Sequence, residues 1–151
     1  VEHTITAHVT IPDKGAAGVL ACTGGEFGGW SLFLKDGKFH YVHNYLKLVE
    51  FAVASADVVP AGEHTLSVHF TPTKKNLKPD YFIGDIVLAV DGKQVGGLKD
   101  IKVAGQYSAV TGYGILIGRN TATPVSHEYQ PPFTFTGELK KVTIKVKVPG
   151  K

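Results

Sequence analysis

The sequence predicts an all-β chain folded as an antiparallel two-sheet β-sandwich of jelly-roll type, on three observations. Its dominant hydrophobic period is two: in HTITAHVTI, HTLSVHF and KKVTIKVKV apolar and polar residues alternate, as they do in strands with one buried face. The turn signals PDKG, KDGK, PAGE, VDGK and TGYG cut the chain into short pieces. No segment keeps helical spacing between cap signals. At 151 residues, with 43% hydrophobic and 19% charged, the chain fits one folded domain over residues 1–151.

In HTITAHVTI, Ile5, Ala7, Val9 and Ile11 share a face. The apolar run GVLAC follows and carries the only cysteine, Cys22, which excludes an intrachain disulfide and a cysteine metal cluster and reads as a small buried hydrophobe. The glycines of TGGEFGG would suit a phosphate cradle only if a helix followed them. They run instead into WSLFLKDGKFHYV, a hairpin, so they read as a bend free of Cβ atoms.

Asp36-Gly37 predicts a two-residue turn with positive φ at both positions, pairing Leu34 with Phe39, Leu32 with Tyr41 and Trp30 with His43. Trp30, Leu32, Leu34, Phe39 and Tyr41 then form a core face. The opposite face pairs Phe33 with His40 and Ser31 with Val42 and is only half polar. A loop, a neighbouring domain or a ligand covers such a face, which makes Phe33, His40 and Val42 a candidate interaction surface.

HTLSVHF places Leu66, Val68 and Phe70 on one side. FTPTKKNLKPDYFIGD reads as an exposed loop offering Tyr81 and Phe82 as candidate sugar-stacking aromatics. DIVLAV leads to Asp91-Gly92, a second hairpin with Ile86, Leu88 and Val90 on a common face; Gly37 and Gly92 are the structural turn glycines. In KKVTIKVKV, Val142, Ile144, Val146 and Val148 oppose Thr143, Lys145 and Lys147, and with Lys140 and Lys141 these lysines suit a charge-protected sheet edge.

The net charge of +3 comes from lysine, Arg119 being the one arginine among 16 basic residues, which argues against nucleic acid as a partner. No apolar run approaches the roughly 18 residues of a membrane span. The N-terminal VEHTITAHVT alternates like a strand rather than showing the basic and apolar regions of a signal peptide. His40 and His43, in HYVH, point to opposite faces of a strand and do not share a metal. The sequence has neither the Glu-x-Asp-x-x-Glu pattern of jelly-roll glucanases nor a Gly-x-Ser-x-Gly elbow, and it implies no cofactor, with calcium in a loop left open.

The tail GRNTATPVSHEYQPPFTFTGELKKVTIKV, Gly118 to Val146, resembles the C-terminal domain of a group of bacterial arylsulfatase-like proteins. GGWSLFLKDGKFHYVHNYL resembles their Gly-Gly-Trp-Ser hairpin, PAGEHTLSVHF their Pro-x-Gly-x-His strand and VLAVDGKQVG their Val-Asp-Gly hairpin, in the same order over nearly the whole chain. The hairpins look more loosely like laminin-G and concanavalin A-like jelly rolls. The sulfatase Cys/Ser-x-Pro-x-Arg motif and its α/β metal domain have no counterpart here. The resemblance therefore implies an accessory β-domain without the catalytic one, and not an enzyme by itself. The sequence departs from the group at Asn120, where an Asp is usual.

Within that tail, Arg119, Asn120, Glu128 and Tyr129 are the candidate ligand-binding residues. Arg119 has two readings: its fork ties down the long loop 119–135 through loop carbonyls or Glu128, or it grips a sulfate or carboxylate together with Tyr129. Anchoring takes precedence, because so long a loop needs it. Three function classes follow. A non-catalytic domain that packs against or oligomerises a sulfatase-type catalytic domain predicts an exposed apolar patch. A carbohydrate-binding, lectin-like module predicts aromatic and polar groups converging on a rim. A small hydrolase predicts two titratable residues with shifted pKa in one pocket.

Overall fold

A computed structural model describes residues 2–77, 81–104, 115–120 and 124–147. Ten strands run through them: β1 (His3–Ile11), β2 (Gly18–Gly25), β3 (Gly28–Lys35), β4 (Lys38–Tyr45), β5 (Val49–Ala54), β6 (Gly62–Leu77), β7 (Tyr81–Val90), β8 (Lys93–Ala104), β9 (Leu116–Ile117) and β10 (Glu138–Val146). They form two antiparallel five-stranded sheets, ordered β10-β1-β6-β7-β8 and β5-β4-β3-β2-β9. The two-sheet β-sandwich read from the period of two is therefore the fold.

Alternation decides what each sheet buries. Ile5 pairs with Val68 and Ala7 with Leu66, while Val68 pairs with Leu88, so one face of the first sheet is aliphatic across three strands. It packs against Leu32, Leu34, Phe39 and Tyr41 of the second sheet, all of them 4% exposed or less. Each such side chain contributes roughly 1.5–3 kcal/mol by leaving water. Register in the β3–β4 hairpin follows the Asp36-Gly37 turn as expected: Lys35 pairs with Lys38, Leu34 with Phe39, Leu32 with Tyr41 and Trp30 with His43. Asp36 and Gly37 have φ of 54° and 78°, and Asp91 and Gly92 of the second hairpin 52° and 82°.

The TGGEFGG stretch is the bend that its lack of a following helix implied. Gly24 pairs with Gly29 across the β2–β3 turn, and a Cβ on Gly24 would lie 2.0 Å from the Gly28 carbonyl oxygen. Only glycine allows the two strands to approach so closely while Glu26 and Phe27 form the tip.

The stretch read as an exposed loop, FTPTKKNLKPDYFIGD, is corrected: most of it is ladder. Thr71 pairs with Asp85, Lys74 with Ile83 and Leu77 with Tyr81, extending β6 and β7. Pro72 is accommodated by a register shift between Pro72 and Lys74, which tolerates its missing N–H. The side chains of Tyr81 and Phe82, the TGYG turn and Val148 lie outside the described residues. At the other side of the same sheet β10 is an edge strand, bordered by β1 alone among the described strands, in keeping with its lysines.

The second sheet is covered on both faces. Residues 124–135 lie across its outer side as a strap, and Val125, Tyr129 and Phe133 join Val19, Cys22, Phe33 and Val42 in a second apolar cluster. Phe33 and Val42 have no exposed surface, and His40 stacks on Phe33 with ring centres 4.8 Å apart. The Phe33, His40 and Val42 face is thus not open to a partner. Of the three coverings the half-polar face allowed, it received a loop of its own chain, because Tyr129 and Phe133 supply the aromatic surface that Phe33 needs.

Candidate functional site

Three of the exposed apolar side chains lie together at one end of the second sheet. There the β2–β3 turn and the β4–β5 turn lie side by side, with Phe27 62%, Leu48 77% and Val49 40% exposed. Lys47 Nζ sits 4.9 Å from the centre of the Phe27 ring and 3.7 Å from Glu26 Oε2, joining the two turns. Two solvent-facing hydrophobes on adjacent tips form a patch that folding does not require.

The β4–β5 turn is strained to present them. Leu46 and Lys47 have φ of 50° and 61°, and the turn closes with the Leu48 N–H donating to the Tyr45 carbonyl at 2.8 Å. At two hairpins of this chain the same handedness is met by Asp-Gly; here a leucine and a lysine adopt it, at about 1–2 kcal/mol each. Asn44, 5% exposed, enforces the geometry. Its Oδ1 accepts the Lys47 N–H at 2.9 Å, and its Nδ2 donates to the carbonyls of Glu26 and Val125, each at 2.9 Å. One buried amide thus ties both turns and the strap together. Strain held in place by a surrounding network is a mark of functional sites.

Sequence reasoning passed over Phe27, Asn44, Leu46, Lys47 and Leu48. The signal was present in NYLKL: β4 and β5 are too close in sequence for anything but a tight turn, and the segment lacks the glycine such turns prefer.

The four residues singled out in the tail are not assembled as a ligand grip. Asn120 and Tyr129 are buried, and they bond each other: Asn120 Nδ2 donates to the Tyr129 hydroxyl at 2.9 Å, and that hydroxyl donates to Ser31 Oγ at 3.0 Å. Burial pushes the Tyr129 phenol upward, so it stays neutral. Arg119 is exposed whereas Tyr129 is buried, so the two are not presented on one surface. Asn120, Tyr129 and Lys35 anchor the loop, the Lys35 Nζ donating to the Glu128 carbonyl at 2.6 Å. Glu128 Oε2 is buried without a hydrogen-bond partner. His127 pairs with Glu50 of β5 at the strap's outer surface, and that carboxylate holds the imidazole above its ordinary pKa. Cys22 is fully buried beneath the strap, its thiol pushed up to about 12 by burial.

A titratable couple lies in the first sheet. His64 Nδ1 and Asp91 Oδ2 are 2.6 Å apart, and Asp91 Oδ1 accepts the Thr65 N–H at 2.8 Å. The hydrogen bond raises the His64 pKa and lowers that of Asp91. Both border a cavity of about 240 Å³ that Glu63 and Lys140 also line. No serine or cysteine borders it among the described residues, and the couple acts as a strut between β6 and the β7–β8 turn. Neither the couple nor any other described cluster offers three His, Cys, Asp or Glu side chains to a metal ion.

No family model matches this chain, and no curated protein matches it. Among solved structures, domains LG4-5 of the mouse laminin alpha1 chain superpose with a TM-score of 0.66 at 11% identity, over 95% of this chain and 35% of that one. The native heptameric SAP-like pentraxin of Limulus polyphemus superposes with a TM-score of 0.56 at 10% identity, over 95% of this chain and 63% of that one. The chain spans less than two thirds of either neighbour. At these identities the likeness shows the architecture alone. The chain has the laminin-G and concanavalin A-like jelly-roll fold.

Proposed function

We propose that this chain is a non-catalytic docking domain that binds a partner protein domain through the tip formed by Phe27, Lys47 and Leu48. The observation that carries the reading is the Leu46–Lys47 turn: a left-handed pair without glycine, clamped by buried Asn44, sets Leu48 77% exposed beside Phe27. A surface evolved only for solubility would have Asn-Gly there and no exposed leucine. On this reading the docking patch is the tip rather than the face over Phe33, which the strap covers.

The finer identity, an accessory domain of an arylsulfatase-like enzyme, rests on the ordered motifs GGWS, PAGEH, VDG and PVSHEYQPPF. The test is sedimentation velocity of the chain mixed with an arylsulfatase-type catalytic domain, beside F27D/L48D. Complex formation lost in the double variant supports the reading. Absence of any complex, with saturable calorimetric heat from neutral or sulfated oligosaccharides that F27D/L48D leaves unchanged, replaces it with the carbohydrate-binding alternative.

A further inference from the structure

The free edge of β10 differs from an ordinary protected edge. Nine residues long, it pairs only with β1, and no described strand borders its other side. Its inward-facing residues follow the core register: Val142 lies opposite Ala7, Ile144 opposite Ile5 and Val146 opposite His3. Yet Ile144 is 39% and Val146 56% exposed, while Ile5 and Ala7 beside them are 2% and 0% exposed. No described strand covers them. On the outward side Lys141 lies opposite His8 and Lys145 opposite Thr4. Neither lysine has an ion-pair partner among the described residues, whereas Lys140 pairs with Glu63 and Lys147 with Glu2.

From this geometry we infer that β10 is a strand-addition site for an extended partner segment alternating apolar and acidic residues. The added strand would satisfy the edge N–H and C=O groups, as in peptide recognition by sheet augmentation. Its apolar residues would cover Ile144 and Val146, and its carboxylates would meet Lys141 and Lys145. Cross-strand opposite charges each add roughly 0.2–1 kcal/mol. A second copy of the chain is the disfavoured occupant: antiparallel self-pairing centred on Thr143 sets Lys141 against Lys145, and like charges directly opposite are destabilising. This inference is independent of docking through Phe27 and Leu48.

The test uses two capped nine-residue peptides, one alternating valine with glutamate and one alternating valine with lysine. Binding is followed by fluorescence anisotropy and by hydrogen exchange of the chain. The expected result is at least tenfold tighter binding of the glutamate peptide, weakened by salt, with slowed exchange confined to residues 139–146. In K141E/K145E the preference reverses toward the lysine peptide, and in the neutral K141Q/K145Q it disappears. Equal binding of the two peptides, protection located elsewhere, or loss of binding in F27D/L48D overturns the proposal. Dimerisation of the chain through β10 in place of peptide binding overturns it as well.

Discussion

Asn44 Oδ1 accepts the backbone N–H of Lys47 at 2.9 Å, and that bond holds a turn whose two central residues, Leu46 and Lys47, have the handedness that side chains disfavour. The same Asn44 reaches the Val125 carbonyl, so the exposed tip and the strap over the second sheet share one buried amide. The exposed tip and the packing of the strap are joined at this residue.

Relieving the strain should stabilise the fold and weaken docking. Leu46→Asn with Lys47→Gly supplies the residues that positive φ favours, and the urea midpoint should rise by an equivalent of about 1–2 kcal/mol. Asn44→Ala should do the reverse, costing about 2–3 kcal/mol, because two carbonyls and one N–H lose their partner. A midpoint lowered by the Asn-Gly replacement would contradict the strain argument.

Tyr129→Phe removes the hydroxyl that links Asn120 to Ser31. All three residues are buried, so the variant leaves a donor and an acceptor unpaired and should lose about 1–3 kcal/mol in thermal denaturation. Asn120→Asp should be at least as damaging, since a carboxylate cannot donate to the Tyr129 hydroxyl and is itself costly to bury. Docking through the tip should survive in Tyr129→Phe, as its ring stays seated on Phe33.

His43 makes stability depend on pH. Burial, reinforced by repulsion from His3, lowers its pKa from 6.5 to about 4. Between those values the unfolded chain holds a proton that the folded chain refuses, so stability rises with pH across the window. The penalty grows as pH falls below 6.5 and reaches about 3 kcal/mol near pH 4. Denaturation of wild type and His43→Gln at pH 4.5 and 7.5 reads it: the wild type should lose more stability on acidification than the variant.

The strut between His64 and Asp91 runs the other way. A raised histidine pKa stabilises fully below 6.5 and is lost as pH rises through the folded value; a lowered Asp91 pKa stabilises fully above 3.8 and is lost as pH falls through its own. Both contributions are therefore complete between 3.8 and 6.5. NMR titration should place the His64 midpoint above 6.5 and return it toward 6.5 in Asp91→Asn. An unchanged midpoint in that variant would show that the carboxylate is not the cause.

The sequence by itself determined the strands and their faces. Alternation assigned Ile5, Ala7, Val9 and Ile11, then Leu66, Val68 and Phe70, to the interior, and Asp36-Gly37 set the register of β3 against β4, because side-chain direction and turn handedness are local properties. Lysine on KKVTIKVKV marked the edge for the same local reason. Only the tertiary structure decided what covers Phe33 and Val42, since Tyr129 lies 98 residues from the Ser31 it bonds, and no local pattern encodes that meeting. It also turned Asn120 and Tyr129 inward as a pair, extended β6 and β7 into a stretch that reads as loop, and bent Leu46 and Lys47 against their own preference. In each case a pairing or hydrogen bond formed in the fold outweighed a local tendency worth only a kcal/mol or two.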